Sequence, residues 1–286
     1  IRVLAPFGSR TLTGYVLKTH EKAPSGNFTV KPICRVLDKE PLFTQEHIEL
    51  SRWMAGMYYC SQGEALSAML PGGRRESELP VFEGDEEEYT PHTLSPEQLD
   101  AVERIGSSKE RLFYLYGITG SGKTEVFLKA AENTLRQGRS VIYLVPEISL
   151  THQLIRHLKT RFGPQVAVLH SRLTPSQRLL QWGRISRGEA NLVVGARSAV
   201  FAPVLSLGLI VLDEEHEGSY KSGSTPRYHA RQVAMRRCAD SEAKLVMGSA
   251  TPSVEAYHLM QTGGLARLNL DRKSTRLNSS HGKLYR

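Results

Sequence analysis

The chain has 286 residues, with 40% apolar and 23% charged side chains, the balance of an ordinary soluble globular protein of about two domains. No stretch approaches the ~18 apolar residues of a membrane span, no membrane association is expected, and no secretory leader is apparent. A formal charge of +8 points toward nucleic acid, but residues 272–286 hold five basic side chains and no acid, which leaves only +3 for the rest.

Residues 1–40 read as β-rich, with strand composition at Thr11–Lys18 and Phe28–Leu37 around the turn signal Pro24-Ser25-Gly26-Asn27. Ile1 opens mid-pattern without a methionine, so the natural start is expected to precede it. Residues 44–70 carry Ile48, Trp53, Met54, Met57, Ala65, Leu66 and Met69 at near-helical spacing. From 71 to 93 the pattern dissolves into Pro71-Gly72-Gly73 and an acidic run from Glu83 to Glu88, which reads as an exposed linker. Three cysteines, Cys34, Cys60 and Cys238, form no CxxC pair; buried free thiols in a reducing cytoplasm are expected, and no zinc site can be drawn from them.

Ser95-Pro96-Glu97-Gln98 opens a capped helix, after which strands and helices alternate. Strands are predicted at 112–116, 141–145, 166–169, 192–194, 209–212 and 244–247, and helices over about 123–137, 151–162 and 253–262, with another opening at Thr174. Continuous apolar runs interleaved with helices indicate a parallel sheet covered on both faces, whose ligands bind at the carboxyl ends of the strands.

Gly117-Ile118-Thr119-Gly120-Ser121-Gly122-Lys123-Thr124 follows the first of these strands and matches the GxxxxGK[ST] phosphate loop at every fixed position. Glycines let successive N–H groups face a phosphate, Lys123 supplies a point charge and Thr124 a hydroxyl to Mg²⁺. The strand ending at Leu212 runs into Asp213-Glu214-Glu215-His216. Asp213 suits a Mg²⁺ partner and Glu214 a group that orients and deprotonates water. Gly248-Ser249-Ala250-Thr251-Pro252 follows another buried strand, where small hydroxyls can link the nucleotide site to a bound strand.

In that order on one α/β domain, these motifs resemble superfamily 2 helicases and translocases. Leu144–Thr151, Leu169-His170-Ser171, Val194–Pro203 and the segment Ser219–Arg231 sharpen the likeness to the primosomal replication-restart helicases, the PriA family, over about 1–70 and 94–271. The resemblance implies a RecA-like P-loop α/β domain over 94–271, preceded by a small β-rich 3′-end DNA-binding domain over 1–70. It implies ATP and Mg²⁺ as cofactors, with Gln98 reading adenine besides capping its helix, and Gly117, Thr119, Gly120, Ser121, Gly122, Lys123 and Thr124 cradling the phosphates. Gly8, Lys31, Arg197, Ser198, Tyr220, Lys221, Tyr228 and Arg231 are implied as DNA contacts, the tyrosines by stacking and the cations through phosphates. Packing roles for Tyr220 and Tyr228, and a strand-end structural role for Arg197, are the competing readings. His216, Ser249 and Thr251 would couple the nucleotide to the DNA.

Forked and single-stranded DNA, and primosome and single-strand-binding proteins, are the implied partners, in the cytoplasm. This sequence departs from the family at His152, Ala196 and Gln232, none of them a catalytic group. It lacks the pocket element expected before Ile1, a winged-helix domain between 71 and 93, the second motor lobe with its arginine finger, and the zinc-ligating cysteines expected of full-length members. Residues 272–286 do not resemble the family and are read as a possible artefact. Two other functions fit the motifs less fully: a different superfamily 2 DNA translocase, and a non-catalytic nucleotide-gated DNA or primosome adaptor.

Overall fold

A computed structural model describes residues 1–22, 26, 29–72 and 93–270; the acidic run and the basic tail lie outside the described residues. The first strands, β1 (Arg2–Phe7), β2 (Arg10–Tyr15) and the short β3 (Arg35–Val36), form an antiparallel sheet in the order β2-β1-β3. Among the described residues of the strand expected at 28–37 only Arg35 and Val36 form a strand, and the strand expected at 11–18 ends at Tyr15. A buried ion pair closes this module: the Arg2 guanidinium donates to Asp38 at 2.6 and 3.0 Å and to the Pro71 carbonyl at 2.7 Å, joining its start to its end.

The helix expected over 44–70 is two helices, α1 (Gln45–Tyr58) and α2 (Gln62–Met69). Tyr59 adopts the left-handed conformation at φ 51°, and Ser61 with Glu64 forms a capping box that starts the second helix. Their apolar faces, with Ile48, Met54, Leu66 and Met69, join the core of the larger domain beside Trp182 and Phe201, and Tyr15 of β2 packs against the same cluster. The Trp182 indole donates to the Leu42 carbonyl at 2.7 Å, and His47 Nε2 meets the Phe201 carbonyl at 2.9 Å. Arg237, fully buried, reaches Glu46 at 2.8 Å and the carbonyls of Val200 and Ala202.

The larger domain runs α3 (Pro96–Ser107), β4 (Leu112–Gly117), α4 (Lys123–Arg136), β5 (Ser140–Leu144), α5 (His152–Phe162), β6 (Val166–Leu169), α6 (Pro175–Ser186), β7 (Leu192–Gly195), β8 (Leu207–Asp213), α7 (Ala230–Ser241), β9 (Lys244–Ser249), α8 (Val254–Gln261) and β10 (Ala266–Leu270). Seven strands order as β10-β4-β9-β8-β5-β7-β6, every neighbouring pair parallel. Buried strands β5 and β7 leave no residue facing water, as a sheet covered on both faces requires. Thr151, Thr174 and Ser253 cap α5, α6 and α8 through their hydroxyls. Among the described residues no helix is long and apolar enough to cross a membrane. The three cysteines are free as expected, but only Cys238 is buried; Cys60 is half-buried and Cys34 exposed, lying beside the short edge strand β3, whose residues are themselves exposed.

Candidate functional site

The loops that leave the carboxyl ends of β4, β8 and β9 hold the three sequence motifs, and because these strands are neighbours the motifs meet in space. After β4 the chain turns through Gly120 and Gly122, both left-handed at φ 82° and 83°, into the N-terminus of α4. A side chain at Gly122 would run into the Gln98 amide, so glycine is required twice over there, for conformation and for space. Lys123 is buried, and its ammonium donates to the Gly117 carbonyl at 2.9 Å and the Ile118 carbonyl at 3.3 Å. Thr124 is exposed beside it, and the Ser121 hydroxyl is buried without a partner. Gln98 combines two duties: its carbonyl accepts from Ser95 N–H at 2.8 Å, and its amide donates to the carbonyls of Ser121 and Gly122. The capping box of α3 thus also braces the phosphate loop.

Asp213 ends β8. Its Oδ2 accepts from the Tyr143 hydroxyl at 3.0 Å and its Oδ1 from Glu214 N–H at 3.0 Å. Burial pushes its carboxyl up to about 6; the Tyr143 hydrogen bond opposes that rise and the neighbouring Glu214 charge adds to it. Glu214 itself sits at φ 46°, a left-handed backbone that a non-glycine residue adopts at a cost of about 1–3 kcal/mol. Its Oε2 lies 3.3 Å from the Ser249 hydroxyl, which is also 2.7 Å from His216 Nδ1 and accepts from Thr251 N–H at 3.0 Å. Glu214, His216, Ser249 and Thr251 therefore form one polar cluster between the loops after β8 and β9. The Thr124 hydroxyl and the Asp213 carboxylate are the hard oxygen donors that Mg²⁺ takes, and the left-handed glycine turn fits a phosphate, so the residues present fit both groups.

A third carboxylate, Glu215, escaped the sequence reading. It is buried, and it accepts from the Ser253 hydroxyl at 2.7 Å, Ser253 N–H at 3.2 Å, the Tyr114 hydroxyl at 3.3 Å and the Arg231 guanidinium. This network ties the loop after β8 to the start of α8.

The residues expected along a DNA track divide. Gly8 sits at φ 61° in the exposed turn between β1 and β2; Lys31 and Lys221 are exposed. Ser198 is half-buried in a short 3₁₀ turn, Arg197–Phe201, that follows β7. Arg197 donates to the carbonyls of Ser219 at 3.2 Å and Lys221 at 2.7 Å, and its guanidinium stacks 5.6 Å from the Tyr228 ring, so it holds the 219–221 turn in place. Three of these side chains face the interior of the domain, as the packing reading of the two tyrosines allows. Tyr220 is fully buried and donates its hydroxyl to the Asp213 carbonyl at 2.7 Å. Tyr228 is buried edge-on against Phe201 at 4.9 Å. Arg231 is consumed by Glu215 and Ser253. None of the three presents a face or a charge to a bound strand; each side chain was more favourably satisfied inside the domain.

Family models match both parts of the chain. A 3′DNA-binding domain (3′BD) family matches residues 1–71, and a DEAD/DEAH box helicase family matches residues 95–259. A replication restart protein PriA of Treponema pallidum (strain Nichols) is 52% identical over 276 residues, covering 94% of this chain and 42% of that protein. A replication restart protein PriA of Bacillus subtilis (strain 168) is 48% identical over 184 residues, covering 63% of this chain and 23% of that protein. The chain thus spans less than half the length of these curated relatives. Among solved structures, RecG bound to a three-way DNA junction superposes with a TM-score of 0.47 at 23% identity, covering 64% of this chain and 24% of that one.

Proposed function

The chain belongs to the DEAD/DEAH box helicase family, and we propose that it is the DNA-binding and ATP-binding portion of an ATP-dependent 3′-to-5′ helicase of replication restart. The observation that carries this reading is the convergence of three motifs on adjacent strand ends, with Ser249 joining Glu214 to His216. In it, backbone N–H groups from Gly117 to Thr124, with Thr119, Gly120, Ser121 and Gly122 between, receive the phosphates of ATP. Lys123 leaves the carbonyls of Gly117 and Ile118 to meet the β- and γ-phosphates, and Gln98 meets adenine with the remaining lone pair of its carbonyl.

Thr124 and Asp213 would hold Mg²⁺, and the ion would supply charge neutralisation for phosphoryl transfer. Glu214 orients the attacking water and takes its proton. His216, Ser249 and Thr251 report the state of that site to the loops beside it. Arg197 acts on DNA through the 219–221 turn that it holds, while Ser198, Lys221, Gly8 and Lys31 meet the strand directly. Residues 1–71 bind a 3′ end at forked or single-stranded DNA, and primosome and single-strand-binding proteins are the expected partners in the cytoplasm. The arginine finger of a second motor lobe is worth about 10³–10⁵ in rate. This chain alone should therefore bind ATP and hydrolyse it slowly.

ATP binding and turnover with no DNA, linear DNA and forked DNA test the proposal, with Lys123→Ala as control. ATP binding that Lys123→Ala abolishes, with slow turnover, supports the two-lobe account. Fast fork-stimulated turnover would keep the helicase chemistry but overturn the need for a second lobe. No ATP binding at all would end the reading.

A further inference from the structure

Tyr143 is the one polar side chain in the aliphatic run Val141–Val145 of β5, and its ring is buried against Phe127 of α4 with centroids 6.2 Å apart. Phenylalanine would fill the same space. A buried hydroxyl costs about 1–3 kcal/mol unless it is hydrogen-bonded, so packing does not account for the oxygen. That oxygen donates to Asp213 Oδ2 at 3.0 Å. The phenol therefore holds one of the two side chains assigned to Mg²⁺. A carboxylate has about four lone-pair sites. The Tyr143 hydroxyl and Glu214 N–H take one on each oxygen and leave the others for a cation.

We propose that Tyr143 is a positioning residue for metal binding: its hydroxyl fixes the Asp213 carboxylate in the orientation that a Mg²⁺-nucleotide requires. The inference rests on the role given above to Asp213. It assigns to the strand interior a function that the phosphate loop and the acidic motif do not themselves contain. The hydroxyl acts before any chemistry, so its loss weakens the metal-dependent part of nucleotide binding and spares the part that the phosphate loop supplies alone.

Binding of a fluorescent ADP, the N-methylanthraniloyl derivative, is measured on the full chain in EDTA and across a Mg²⁺ titration. The proteins compared are the native chain, Tyr143→Phe and Asp213→Asn, each also melted without nucleotide. Loss of one hydrogen bond to a charged group predicts that Tyr143→Phe raises the half-maximal Mg²⁺ concentration about tenfold, with metal-free affinity within about twofold and an unchanged melting temperature. If Tyr143→Phe titrates like the native chain while Asp213→Asn does not, the positioning role is wrong and the metal site stands. A common loss of metal-free and metal-dependent binding, or a collapse of the melting temperature in Tyr143→Phe, makes the residue structural and also overturns the proposal. If Asp213→Asn itself titrates like the native chain, the metal reading fails and the role of Tyr143 falls with it.

Discussion

Replacing Arg231 by methionine separates two accounts of that residue. Its side chain is 9% exposed and the Glu215 side chain 0%, so the substitution leaves a carboxylate in the interior with no cation. Ser253 and Tyr114 still donate to Glu215, but neither carries charge. Breaking one partner of a buried pair costs about 3–5 kcal/mol, against about 0–1 for a surface pair. For a domain of this size each kcal/mol moves the melting temperature by about 2–4 °C, so a fall of about 10 °C is expected. Adding Glu215→Gln removes the orphaned charge and should restore at least half of the loss, because the two changes share one interaction. Thermal and urea unfolding measure this, alongside single-strand DNA affinity well below the transition. DNA affinity should stay within about twofold, since the guanidinium meets no phosphate in this arrangement. An unchanged melting temperature with a loss of DNA binding would refute the reasoning and return Arg231 to the DNA surface.

Gly122→Ala forces a Cβ into the Gln98 amide at a left-handed position. At about 1–2 kcal/mol of backbone strain, plus a displaced brace, nucleotide affinity measured by calorimetry should drop more than about tenfold. His47 is buried between Thr44 and the Phe201 carbonyl, and burial, with Arg237 nearby, lowers its pKa to about 4. A depressed folded-state value means the unfolded chain binds the proton first. Its contribution to stability is therefore complete above pH 6.5 and lost as pH falls toward 4, about 3 kcal/mol in all. Acid titration of the unfolding free energy should flatten over that window in His47→Gln; a curve identical to the native one would show that other groups set it.

Much of the motor domain was legible in one dimension because its signals are local. The P-loop is eight consecutive residues, the caps at Ser95 and Thr174 are fixed by their neighbours, and buried parallel strands are short apolar runs. Elements with weak local patterning were not legible. α7 carries Arg231, Arg236 and Arg237 among its apolar residues, and β10 alternates Arg267 and Asn269 with Leu268 and Leu270. Neither declares itself without the sheet it packs on. The break at Tyr59 was hidden because helical spacing resumes in phase with the same core.

The sequence by itself determined the alternation of buried strands with capped helices, the phosphate loop and the acidic and hydroxyl motifs, since each is written in adjacent residues whose chemistry does not depend on distant partners. Tertiary structure alone decided what the polar and aromatic side chains between them do. It buried Tyr220, Tyr228 and Arg231 instead of offering them to a strand, joined α1 and α2 to the motor core through Arg237 and His47, and set Tyr143 against Asp213. The physical reason is range: a cap or a turn is settled within four residues, whereas the cost of burying a charge or a hydroxyl depends on partners brought from elsewhere in the chain.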